Sequence, residues 1–118
     1  MWERYNVGGQ QAMSQGKMAE AENSFKMAIA EAEKLGPTDA RLATSLNNLA
    51  NCYRQQGKLS DAEPMYLRAL EVKTKQAGPF SNDLIGIMDN YAKMLRAAGR
   101  EKEAEKMEQK SRAIFTKK

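Results

Sequence analysis

Leu46-Asn47-Asn48-Leu49-Ala50-Asn51-Cys52-Tyr53, then Gln55-Gln56-Gly57-Lys58, then Ser60-Asp61-Ala62-Glu63-Pro64-Met65-Tyr66 form the centre of the chain. Leu42, Leu46, Leu49 and Tyr53 fall at i, i+4, i+7 and i+11, the spacing of one buried helix face. Gly57 breaks the pattern and suits a left-handed helix end. Ser60 to Glu63 has the form of a capping box, which predicts the start of a second helix. Ala62, Met65, Tyr66, Ala69 and Leu70 continue it, and Pro64 near its first turn is tolerated there. Gly78-Pro79 ends the unit, and Ser81 is placed to cap the next helix.

The same layout recurs on both sides. Gly57 and Gly99, Ala62 and Ala104, Ala50 and Ala92, and Asn48 and Asn90 are each separated by 42 residues, as are Gly36-Pro37 and Gly78-Pro79. At a spacing of 41, Gly16 precedes Gly57, Ala21 precedes Ala62, Phe25 precedes Tyr66 and Ala28 precedes Ala69. The chain reads as three copies of a helix hairpin, with helices expected roughly at 2–15, 18–35, 38–56, 60–77, 80–98 and 101–116. Gly9, Ala50 and Ala92 share one position, and Ala21, Ala62 and Ala104 another. Small residues there let the paired helices approach closely. One hairpin cannot bury its apolar face alone, whereas three stacked hairpins form a continuous core.

Composition supports an all-α reading and excludes several kinds of chemistry. Alanine occurs 17 times, against six Val and Ile together, a balance that favours helix over sheet. With no His and one Cys, no His-based triad or zinc site can form within the chain, and no internal disulfide. No glycine-rich phosphate loop is present. An enzyme, a metal site and a cofactor are therefore not expected. The net charge is +4, but its signs alternate, as in Glu101-Lys102-Glu103-Ala104-Glu105-Lys106. That pattern fits a solvated helix face and not a nucleic-acid surface. No apolar run is long enough to span a bilayer, and no signal peptide is apparent, so a cytoplasmic location is expected. Cys52 reads as core filler, without the cations that would activate a thiolate.

The order Leu46, Leu49, Ala50, Tyr53, Gly57, Ala62, Tyr66, Ala69 resembles the tetratricopeptide repeat. The 42-residue period, together with segment 35–73, is similar to the repeats of kinesin light chains and their bacterial relatives. The resemblance implies a right-handed α-α superhelix, or solenoid, of three helix-turn-helix units, roughly 1–36, 37–78 and 79–118, making one domain over 1–118. The third copy departs most from the pattern: Glu108 and Ser111 stand where an aromatic and Ala are expected. Its last helix, with Ala104, Met107, Ser111, Ile114 and Phe115 as a narrow apolar stripe, reads as a terminal cap. Trp2 and Tyr5 are expected to close the other end, as in a complete small protein.

In that family the first helix of each unit lines a concave groove. The resemblance places Asn6 and Gln10 there from unit one, Asn47, Asn48, Asn51 and Arg54 from unit two, and Asn90, Lys93 and Arg96 from unit three. Groove amides at the Asn48 and Asn90 position contact cargo peptides in kinesin light chains. An amide both donates and accepts, so it can hold a peptide backbone whatever its side chains, and the three cations would favour an acidic group. The alternatives are that Asn48 bonds a neighbouring helix and that Arg54, Lys93 and Arg96 are ordinary surface charges. The five-residue clamp with which some of these domains hold acidic chaperone tails is not matched. Its positions carry Asn6, Gln10, Asn48, Gly86 and Asn90, and only Asn48 fits. The expected function is a non-catalytic protein–protein interaction module that binds a protein or peptide, with no nucleic-acid or membrane partner, as a monomer or weakly self-associating species. The alternative is an assembly protein that self-associates through the ends of the solenoid.

Overall fold

A computed structural model describes residues 1–116, and 82% of these are helical. Six helices follow one another: α1 (Trp2–Ser14), α2 (Met18–Glu33), α3 (Ala40–Gln55), α4 (Leu59–Ala77), α5 (Asp83–Ala97) and α6 (Glu101–Thr116). No strand occurs among the described residues. The helices pair as α1–α2, α3–α4 and α5–α6, and each hairpin packs on the next through α2 on α3 and α4 on α5. This is an all-α solenoid.

The tight turns inside the hairpins are built alike. Gly57 has φ +78°, a conformation that any Cβ disfavours. Its N–H donates to the Arg54 carbonyl at 3.0 Å, and the next N–H, of Lys58, donates to the Tyr53 carbonyl at 2.9 Å. These two bonds close the end of α3. Gly16-Lys17 and Gly99-Arg100 repeat both bonds, so Lys17, Lys58 and Arg100 occupy one position in three units.

Packing follows the small residues. Ala21, Ala62 and Ala104 are fully buried, as are Phe25 and Tyr66. At Gly9 a Cβ would lie 2.5 Å from the Phe25 ring, so the first hairpin closes only without a side chain there. Between units two and three the Tyr66 and Tyr91 rings meet at 5.8 Å, a distance at which tilted aromatic rings attract. Cys52 is buried, and desolvation raises its thiol pKa, which suits a packing role.

Several local expectations are corrected. The residue capping α4 is Lys58, with no side-chain cap bond, and not Ser60. Glu63 does not reach back to the helix start, because its carboxylate binds Tyr91 and Arg100 of the following unit. Helices α3 and α5 start two to three residues later than expected, since Pro37 and Pro79 sit in turns. The Asp39 side chain caps α3 by accepting the Arg41 N–H. The cap position of α5 is held by Asn82 and not Ser81, although Ser81 Oγ, one residue earlier, accepts the Asp83 N–H at 3.2 Å. Trp2 does not close the outer end. Its indole Nε1 donates to Ser45 Oγ at 2.6 Å, directing the ring towards unit two. On α6, Ala104, Ser111 and Ile114 are buried, but Phe115 is 74% exposed and lies outside the expected apolar stripe.

Candidate functional site

Helices α1, α3 and α5, the first of each hairpin, carry all nine residues expected to line the groove. The two junctions between these helices differ. At the α1–α3 junction, Asn48 Nδ2 donates to Asn6 Oδ1 at 2.7 Å, and Asn6 is only 8% exposed. The amides of Asn6 and Asn48 are therefore bonded to each other and tie the units together.

At the α3–α5 junction the corresponding residues are Asn47, 41 after Asn6, and Asn90, 42 after Asn48. Here the bond is not made. Asn47 Oδ1 is buried without a hydrogen-bond partner. A buried acceptor in that state costs free energy until a donor reaches it. Beside it lies a cavity of about 260 Å³, lined by Thr44, Asn47, Lys73, Asp83, Gly86 and Ile87 among others. Gly86 leaves the space open, since a Cβ built there meets nothing within 4 Å. Lys73, 8% exposed, enters from α4. Its ammonium is 3.1 Å from Asp83 Oδ2 and donates to Gln76 Oε1 at 2.9 Å. With two of its three N–H groups directed at these acceptors, the ammonium has a third left to donate.

The three cations separate in role. Arg54 donates to Tyr66 Oη at 3.0 Å, and Tyr66 Oη donates to Asn51 Oδ1, so Arg54 and Asn51 brace their own hairpin. Burial raises the Tyr66 pKa, which keeps that hydroxyl a donor. Arg96 and Glu108, 42 residues after Arg54 and Tyr66, form the same link as a two-pronged ion pair, and Arg96 also donates to Glu101 at 2.8 Å. Arg96 holds the Glu108 carboxyl below its ordinary range. The unexpected Glu108 thus replaces an aromatic by giving Arg96 a charged partner. Lys93 is exposed and is without an ion pair among the described residues, and Gln10 is exposed as well.

Of the nine residues, Asn6, Asn48, Asn51, Arg54 and Arg96 already hold bonds within the chain, while Gln10, Asn47, Asn90 and Lys93 are available. Asn47, Thr44 and Gly86 meet Lys73 and Asp83 at the α3–α5 notch. Lys73 and Asp83 escaped the sequence reading because neither is in the middle of a first helix. One signal was present: Lys73 stands at the position held by Ala32 in unit one. Among the described residues no group of carboxylates and thiols is arranged to hold a metal ion, and no helix is long and apolar enough to cross a membrane.

The sequence pattern of the tetratricopeptide repeat matches residues 9–75, more than half of the chain. The crystal structure of BtubC (BKLC) from P. vanneervenii is similar, with a TM-score of 0.89 and 25% sequence identity over 98% of this chain and 46% of that one. The chain therefore spans less than half the length of that kinesin light chain-like protein. Among curated proteins no match is found. Stacked hairpins with glycine-closed turns, carrying this pattern and this likeness, make the chain a member of the tetratricopeptide repeat family.

Proposed function

We propose that this chain is a single-domain, non-catalytic interaction module that binds a short peptide segment of a partner protein across α1, α3 and α5. Tetratricopeptide repeats generally mediate protein–protein interaction, and the finer reading rests on one observation. At the α3–α5 notch a buried carbonyl, Asn47 Oδ1, lacks a donor beside an open cavity that Lys73 and Asp83 also line. A peptide amide supplies the missing donor, and its carbonyl can accept from Asn90. One side chain of the peptide enters the space above Gly86. Lys93, exposed and without an ion pair among the described residues, takes an acidic group nearby, and Gln10 contacts the peptide further along. The interspersed surface charge suits a protein partner better than nucleic acid. The reading includes a cytoplasmic setting and no cofactor.

A peptide loses conformational freedom on binding and three units offer limited area, so a micromolar affinity is expected, about −8 kcal/mol. The test is a peptide-library screen with the purified chain, followed by calorimetric titration of the best binder. Gly86→Leu fills the notch and should abolish binding while leaving the helical fold intact. Lys93→Glu should weaken an acidic binder, and raised salt should weaken it in the wild type. A binder indifferent to both substitutions occupies another surface and overturns the reading.

A further inference from the structure

The two junctions between units share an ion pair that runs from the turn of one hairpin to the second helix of the hairpin before it. Lys58 Nζ is 2.8 Å from Glu22 Oε1. Arg100 reaches Glu63 at 2.9 Å. Glu22 and Glu63 are 41 residues apart, and Lys58 and Arg100 are 42 apart, so this is one contact made twice. Continuing the register, the next carboxylate is Glu105 on α6. The preceding cation is Lys17, which follows Gly16 in the α1–α2 turn just as Lys58 follows Gly57. Glu105 and Lys17 are both exposed, and neither has an ion pair among the described residues. One end of the solenoid therefore carries the acidic half of the contact and the other end carries the basic half.

The rest of the two end faces is compatible. On α1, Arg4, Val7 and Gln11 line one hollow. They occupy the positions of Ser45, Asn48 and Cys52, all of which contact unit one. At the other end, Asp89 occupies the position of Asn6 and Asn47. Stacked in the same register, the Asp89 carboxylate meets Val7 with Arg4 and Gln11 one helical turn to either side, a cation and an amide that can bind it. Met1 and Val7 at one end and Phe115 at the other leave apolar surface exposed, which such stacking would cover.

We propose that a second copy of this chain docks head to tail, with its α1–α2 end on the α5–α6 end of the first and Lys17 on Glu105. The two surfaces are different, so the contact is heterologous and each added copy presents a fresh end. Assembly is therefore open-ended and concentration-dependent. This does not depend on the groove binding a peptide.

Sedimentation velocity and light scattering across a micromolar to millimolar series test the proposal. The mean mass of the wild type should rise with concentration and fall again at high salt. Lys17→Glu and Glu105→Lys each place like charges at the junction and should weaken association at least about tenfold. Both residues are exposed, and circular dichroism should show unchanged helix and melting. Mixing the two variants in equal amounts should restore assembly, because each then meets its opposite at both ends. A wild type that stays monomeric throughout overturns the proposal. So does either variant associating like the wild type, or a mixture no more associated than its components.

Discussion

Asn48 shows how one amide can change role with its neighbour. Its position marks it for the groove, yet its Nδ2 is bonded to the buried Asn6. Asn48→Ala should therefore destabilise the fold, by about 1–3 kcal/mol, because Asn6 Oδ1 is left without its donor. Urea denaturation checks this, and an unchanged midpoint would mean the pair contributes nothing. Close packing sets two further residue-scale expectations. Ala62 is fully buried, and Ala62→Leu should overpack the central hairpin, costing about 1–3 kcal/mol. Gly57→Ala keeps the packing but forces a Cβ into φ +78°, which should cost about 1 kcal/mol. Thermal melts of the two variants should each fall below the wild type, and a wild-type melting temperature for Ala62→Leu would contradict the packing described.

Between elements, the repeated ion pairs connect helices that the hairpins alone would leave separate. Lys58 holds the Glu22 carboxyl below its ordinary pKa of 4.5, and Arg100, with help from Tyr91, does the same for Glu63. A carboxylate whose pKa is lowered by folding contributes stability above the unfolded pKa and loses it as pH falls through the folded value. Stability should therefore decline below about pH 4.5. It should show no step across roughly pH 5–8, since the chain has no histidine to titrate there. Urea midpoints measured against pH should trace that plateau and fall, and Glu63→Gln should make the acid limb shallower. An equally steep limb in the variant would assign the acid sensitivity to other carboxylates.

At the scale of the molecule, each hairpin touches only its neighbours among the described residues, so stability is a sum of unit and junction contributions. Tyr66 contributes to the second junction by meeting Tyr91. Ending the chain after Gly78 removes that cover and exposes a face built for burial. Such a truncation should lower the urea m-value by about a third, in proportion to the surface lost, and should lower the midpoint as well. Calorimetry should record a matching loss of unfolding enthalpy. If the midpoint were unchanged, the junction between units two and three would carry no coupling.

The order of the helices, the hairpin pairing and the stacked solenoid were legible in the sequence. The period of 41 to 42 residues, with Gly57 and its equivalents at the turns and Ala62 and its equivalents at the contacts, depends on size and backbone freedom. Those are properties each residue carries by itself. The choice of polar partners was not legible. Glu63 leaves the predicted cap for Arg100 and Tyr91, Asn48 bonds Asn6 while Asn47 stays unpartnered, Trp2 turns inward to Ser45, and Arg96 is taken by Glu108. Phe115, read as part of the apolar stripe, is exposed. A long polar side chain near a junction has several partners within reach, and distances of a few tenths of an ångström between neighbouring units select among them. Only the stacked structure supplies those distances, so the sequence determined the scaffold and the tertiary packing decided which of its polar groups remain open to a partner.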